Sequence, residues 1–160
     1  MLAYMQGNVT EVNPVNKPII IPHIVNDIGA MGSGVARALY EKWPLVRSQY
    51  MEWSQDSEFK LGKTQIINVE KDIYVANMVA QHSLISKDNP TPIKYDALEQ
   101  CMEDVNFYAN ILDTEDKQRV CEICAPKFGS LRAGGDWNKI EKLINNVWKD
   151  LDVTIYEYSE

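Results

Sequence analysis

Two glycine-rich strings carry most of the chemistry this sequence offers. The first is "HIVNDIGAMGSGVARALYEKWP", from His23 to Pro44. A β-branched run leads into it and helical spacing leads out of it. Glycines there admit positive φ and close backbone approach. A helix start adds unpaired N–H groups and the positive end of the helix dipole. Together these hold an anion, a phosphate or pyrophosphate, without a cationic side chain. A plain turn with an N-cap is the alternative. The string lacks the Gly-Lys-Ser/Thr ending of a Walker loop and the spacing of the dinucleotide fingerprint. The second string, "KFGSLRAGGDW" from Lys127 to Trp137, has the same logic at another strand end.

Polar side chains flank the first string. Asn26 would bind a ribose hydroxyl or hydrogen-bond the turn. Asp27 would activate water, bind a hydroxyl, or stand as a solvated loop carboxylate. His23 lies near the loop mouth, where an acid/base or orienting role competes with that of a satisfied core histidine. Asn8 would read an adenine edge through its amide or close a Gly-Asn turn. His82 reads as a surface loop residue. "CEIC" has metal-like spacing, but strand alternation sends Cys121 and Cys124 to opposite faces. No second Cys/His pair accompanies it, so no metal site is expected.

The elements that must position these groups follow from patterning. "LAYMQGN" reads as a first strand. "KPIIIPHIVN" is a continuous apolar run, the mark of a strand buried on both faces. Val35, Ala36, Leu39 and Tyr40 follow helical spacing. Pro44 stops that helix and starts "PLVRSQYMEW". "GKTQIINVEKDIYVANMVAQ" reads as a hairpin turning near Glu70–Asp72. A helix over "TPIKYDALEQCMEDVNFYANIL", a strand in "RVCEICAPKFG", a helix in "DWNKIEKLINNVWKDL" capped by Asp136 or Asn138, and a last strand "DVTIYEY" complete the pass. Alternating strands and helices predict an α/β sandwich with a mainly parallel sheet. In such folds ligands bind beyond the carboxyl ends of strands, so both glycine strings are expected to wall one cleft.

Composition narrows the partners. The 160 residues form one domain by length, residues 1–160, with 45% apolar and 24% charged residues. No run reaches the roughly eighteen apolar residues of a membrane span. "MLAYMQGNVTEV" lacks a basic n-region and a long apolar h-region, so no signal peptide and a cytoplasmic location are expected. The net charge of -7 disfavours direct nucleic-acid binding. A monomer is expected.

"QGNV", "HIVNDIGAMGSGVARALYEKWP", "LGKTQII", "YVANMVAQ" and "APKFGSLRAGGDW" together resemble the macrodomain family. The similarity is closest to the branch holding terminal ADP-ribose protein glycohydrolase and the yeast ADP-ribose 1″-phosphate phosphatase. The resemblance runs over nearly the whole chain. It implies a three-layer α/β/α sandwich around a mixed, mainly parallel central sheet, with ADP-ribose or a derivative in a cleft and no cofactor.

By the same resemblance, Asn8 would contact adenine, with Gly7 and Val9 beside it and Tyr158 bordering the base. Asn26 would meet the distal ribose. Ala30, Met31, Gly32, Ser33, Gly34, Val35 and Ala36 would embrace the diphosphate and distal ribose. The second phosphate loop would run from Gly129 through Ser130, Leu131, Arg132 and Ala133 to Gly134, with Lys127 and Phe128 also among the ligand-binding residues. The glycohydrolase's nucleophilic lysine falls on Gln81 here, and its partner aspartate on Ala133. Lysine-adduct chemistry is therefore not expected. The expectation is a phosphatase acting on ADP-ribose 1″-phosphate, with Asn26 holding the ribose and Asp27 or His23 assisting water. A non-catalytic ADP-ribose reader is the alternative, and a hydrolase releasing ADP-ribose from macromolecules by substrate-assisted water is a weaker one.

Overall fold

The computed structural model describes residues 1–112, 119–130 and 132–158. Six strands form one sheet in the order β1-β6-β5-β2-β4-β3. They are β1 (Leu2–Gln6), β2 (Ile19–Asn26), β3 (Thr64–Glu70), β4 (Ile73–Gln81), β5 (Glu122–Pro126) and β6 (Val153–Glu157). Every neighbouring pair is parallel except β3 with β4, the hairpin expected from the sequence. Asp72 takes a positive φ of 63° at its turn.

Helices cover both faces, giving the α/β/α sandwich. On one face lie α1 (Gly34–Lys42) and α2 (Leu45–Trp53), with a short 3₁₀ turn at Val9–Glu11. On the other lie α3 (Tyr95–Ile111) and α4 (Trp137–Val147). Strand alternation divides the core between them. Ile19, Ile21 and Val25 of β2 pack with Leu39, Val46 and Tyr50 on the first side. Ile20 packs with Leu98, Met102, Ile140 and Trp148 on the second. Each such buried side chain contributes on the order of 1.5–3 kcal/mol. Cys121 and Cys124 fall in opposite core clusters, as alternation requires. Pro44 sits at the N-cap of α2, and Asp136 caps α4 by accepting from the Asn138 N–H.

The chain leaves β2 toward β4 and β3, and leaves β5 toward β6 and β1. The β2–β5 seam is thus the point where the strand order reverses, the usual place for a ligand crevice in an open α/β sheet. Two prolines limit its pairing. The Ile19 N–H donates to the Asp72 carbonyl beside β4, so main-chain groups of even-numbered β2 residues face β5. The Glu122 N–H donates to the Pro18 carbonyl, so even-numbered β5 residues face β2. Pro22 and Pro126 both stand at even positions, and neither has an N–H to give. Main-chain pairing along this seam ends at Ile20 and Ile123. Beyond it the two strands run on without further ladder pairing toward the cleft, whose floor takes residues from the ends of both.

Candidate functional site

The cleft has a volume of about 820 Å³. Its floor is the end of the seam: His23–Asn26 from β2, Gln81 from β4 and Pro126 from β5. The first glycine string supplies one wall, Gly29 through Ala36 without a gap. The second supplies Lys127, Phe128, Gly129, Arg132 and Ala133 opposite. A third wall comes from α2 and the segment after β4: Arg47, Met51, Leu84 and Ile85.

Asn26 organises the first wall. The β2–β4 register shifts between Val25 and Asn26, which pairs Asn26 with Gln81 and skips Ala80. A bulge of this kind turns a side chain out of the regular alternation. The Asn26 Oδ1 then accepts the N–H groups of Ile28 and Ala30, both at 3.1 Å, and the Tyr50 hydroxyl at 2.8 Å. Its Nδ2 donates to the Ala30 carbonyl at 2.6 Å. One buried amide thus folds the loop around itself. Burial also pushes the Tyr50 phenol above its ordinary range, so it stays a hydroxyl donor.

Past this clamp the loop enters α1. The first bond of that helical turn runs from the Arg37 N–H to the Ser33 carbonyl. The N–H groups of Gly34, Val35 and Ala36 precede it, and Ser33 makes no side-chain cap. All three residues line the cleft.

The second wall is held by packing. A Cβ on Gly129 would meet Ile24, Ile93 and Ile140 at 2.9–3.0 Å. The Gly135 N–H donates to the Gly129 carbonyl at 2.7 Å, and the Ile93 N–H to the Ala133 carbonyl at 2.9 Å. Arg132 reaches across toward the first wall, its Nε 3.2 Å from where a Cβ on Gly34 would lie.

The charge pattern is one-sided. Among the described residues, the permanently charged lining side chains are Arg47, Lys127 and Arg132, and no carboxylate joins them. This stands in a protein of net charge -7. The cleft is built for an anion.

The residues expected to do acid/base work are placed otherwise. His23 lines the floor but is only 3% exposed. Its Nε2 bonds to the Asn77 Oδ1, whose amide nitrogen donates to the Val46 carbonyl and the Gln65 Oε1. Gln65 in turn donates to the Gln49 carbonyl. Because the Asn77 amide is spent as a donor, its oxygen must accept, and the His23 Nε2 carries the proton. Burial lowers the His23 pKa to about 4. His23 is therefore a neutral link in a polar ladder under α2, its Nε2 proton committed to Asn77.

Asp27 is tied into the segment after β4. Its carboxylate takes the His82 Nδ1 and the Ser83 N–H, both at 2.8 Å, and it is not among the residues lining the cleft. His82 is a surface residue, its side chain 58% exposed.

Other expected ligand contacts divide. Gly7, Asn8, Val9 and Tyr158 lie off the cleft lining, as do Ser130 and Gly134. Asn8 spends its Oδ1 on the N–H and hydroxyl of Thr10, capping the 3₁₀ turn. Val9 is buried in the core beside α1. Ser130 donates its hydroxyl to the Lys127 carbonyl. Leu131 lies outside the described residues. Gln81 and Ala133 do face the cleft, where the resemblance put a lysine and an aspartate in relatives. Arg47, Met51, Leu84 and Ile85 went unread. Two signals mark them: Arg47 and Met51 are four apart on one helix face, and Leu84-Ile85 is an apolar pair inside the polar stretch "HSLISKDNP".

A scan of family models finds no match to the chain, and neither does a search of curated proteins. Solved structures do match. A protein from Bacteroides thetaiotaomicron is 34% identical, with a TM-score of 0.85, covering 98% of this chain and 99% of that one. A macrodomain protein from Streptomyces coelicolor is 30% identical, with a TM-score of 0.80 and 98% of each chain covered. The DarTG protein of Thermosipho africanus, solved in complex with ADP-ribose, matches over 98% of this chain and 41% of its own, at 15% identity and a TM-score of 0.71. At that identity the likeness is one of fold.

Proposed function

Since the chain belongs to the macrodomain family, we propose that its cleft binds ADP-ribose. The observation that carries this reading is the first turn of α1. Gly34, Val35 and Ala36, whose main-chain N–H groups precede the first helical bond, line a cleft whose charged lining residues are all cationic. A diphosphate matches that set, because helix-start donors and Arg forks both favour phosphate oxygens. A protein of the same fold that holds ADP-ribose supports the choice of nucleotide. The test is calorimetric titration with ADP-ribose. One molecule bound per chain at micromolar affinity is expected. No heat and no thermal shift at millimolar ligand would overturn the reading.

A second reading follows from Arg47 and Arg132, which stand on the cleft besides the backbone donors. They would suit a ligand with a third phosphate, ADP-ribose 1″-phosphate, and its hydrolysis. Water would attack phosphorus, the bond from phosphorus to the C1″ oxygen would break, and ADP-ribose and inorganic phosphate would leave. Phosphoryl transfer asks mainly for positioning and charge stabilisation, so His23 and Asp27 are not required as bases. Phosphate release, reduced in Arg132→Ala, is the expected result. Tight binding of ADP-ribose without any phosphate release would mark a reader module instead.

A further inference from the structure

We infer that Asp27 is a positioning residue that holds the apolar wall of the cleft in place. The inference rests on the ADP-ribose reading for its ligand and on the structure for its geometry.

The wall is Leu84 and Ile85, which are 48% and 44% exposed although they line the cleft. Met51 and Val35 continue it at 43% and 42%. Uncovered aliphatic groups gathered on one cleft are a surface waiting for a ligand. Covered by one, they exclude water from the neighbourhood of the backbone donors and strengthen each donor's hold on an anion.

Leu84 and Ile85 sit in a self-bonded tab. Ser86 and Asn89 exchange two main-chain bonds of 3.1 Å, and the Asn89 amide donates to the His82 and Leu84 carbonyls. The tab is thus stiff within itself. Its base turns sharply at Ser83, at a φ of 58°, and the His82 N–H donates to the Pro92 carbonyl.

What ties the front of the tab to the first glycine wall is Asp27. One carboxylate oxygen accepts the Ser83 N–H, next in sequence to Leu84, and the other meets the His82 ring. The Asp27 N–H donates to the Gln81 carbonyl at 3.0 Å, so the same residue is stitched to the end of β4 from its backbone. Removing the carboxylate leaves the tab stiff and held only from β4 and its base, by the Gln81 amide donating to the Ser83 carbonyl at 2.9 Å and by the His82–Pro92 bond. The apolar wall would then lose its direct tie to the loop that carries the backbone donors, and its distance from them would be held less tightly.

A mutant cycle separates this role from direct ligand contact. The variants are Asp27→Ala, Asp27→Asn, the pair Leu84→Ala with Ile85→Ala, and the three alanines together, each titrated with ADP-ribose. Asp27→Ala should weaken binding about tenfold, and so should the Leu84/Ile85 pair. The triple variant should be no weaker than the pair, because Asp27 then has no wall to hold. Asp27→Asn keeps an oxygen for the Ser83 N–H and should recover most of the loss. Losses that multiply in the triple variant would overturn the inference.

A ligand-free readout keeps the two ideas apart. Amide exchange at residues 83–86 should speed by roughly tenfold in Asp27→Ala while α4 stays protected. Unchanged exchange there would overturn the anchor even if ADP-ribose binds. Failure of the native protein to bind ADP-ribose would overturn the nucleotide reading, with the exchange test still decisive for Asp27.

Discussion

The two glycine walls look alike as strings and are built by opposite means. The wall from Gly29 to Ala36 is folded by one buried amide, Asn26, which serves four partners. The wall from Lys127 to Gly135 is folded by the absence of side chains, its glycines pressed against Ile24, Ile93, Ile140 and the Pro90 carbonyl. The packed loop needs its glycines for space, whereas in the first wall Gly29 and Gly34 serve positive φ and only Gly32 is free of both strain and contact. Four substitutions or titrations would sharpen that contrast or break it.

The largest effect belongs to the packed wall. Gly134 has a φ of +67°, and a Cβ there would lie 2.4 Å from the Pro90 carbonyl oxygen, a backbone atom that cannot rotate away. Gly134→Ala combines left-handed strain with that overlap and should cost roughly 3–5 kcal/mol in urea unfolding. A loss under about 1 kcal/mol would mean the wall yields more easily than packed backbone does.

Next in size is a titration under the polar wall. His23 is neutral when folded, with its pKa lowered to about 4 by burial, against an ordinary 6.5. Above pH 6.5 neither state is protonated and the protein keeps its full stability. As pH falls from there toward 4, the unfolded chain takes up a proton that the folded one refuses, and stability drops by about 3 kcal/mol. His23→Gln keeps a donor for Asn77 and removes the titration. Unfolding free energies of the two proteins at pH 7 and pH 4.5 should therefore diverge in their pH dependence. Parallel curves would sink the ladder as described. The packed wall has no such group: Phe128 rests on Trp137 and Trp148.

Asn26→Ala follows, at about 2–3 kcal/mol of stability, since it strips two loop N–H groups of their acceptor. Its larger readout is binding, with ADP-ribose affinity expected to fall by about a hundredfold as the first wall unfolds locally. Asn26→Asp keeps the acceptor oxygen and loses the bond to the Ala30 carbonyl. It should fall between the two in unfolding experiments, and an affinity equal to the native one would contradict the clamp.

What the sequence revealed of this site was whatever repeats locally. The run "IIIPHIVN" and the switch to helical spacing at Val35 announced a strand entering a helix, and that junction is where the donors lie. Side-chain partnerships across the fold left no such trace. Asp27 meets His82 across 55 residues, and His23 meets Asn77 across 54. Nothing local tells a carboxylate that ties down a loop from one that activates water. Asn8 was ambiguous for a related reason: a cap and a base contact draw on the same amide, and Thr10 two residues on claims its oxygen. Pro22, inside a buried strand, was the most informative letter left unread. Its missing N–H is one reason the β2–β5 pairing stops where it does.

The smallest change in stability should come from Gly32, and it divides the two walls most cleanly. Its φ lies outside the positive range, and a Cβ there would have no atom within 4 Å. Neither backbone strain nor packing calls for glycine at this position. By removing backbone freedom from the unfolded chain, Gly32→Ala should leave the melting temperature unchanged or raise stability by roughly 0.4–1 kcal/mol. Yet Gly32 lies on the cleft between the Asn26 clamp and the first turn of α1, where a bound diphosphate would pass. A methyl group there should keep the phosphates from the Gly34–Ala36 donors and weaken ADP-ribose by at least about tenfold. A fold untouched and a ligand lost would assign this glycine to the ligand, as Gly134 belongs to the fold. If Gly32→Ala bound ADP-ribose as tightly as the native chain, the phosphates would have to lie elsewhere in the cleft. Arg132 and the second wall would then be the place to look.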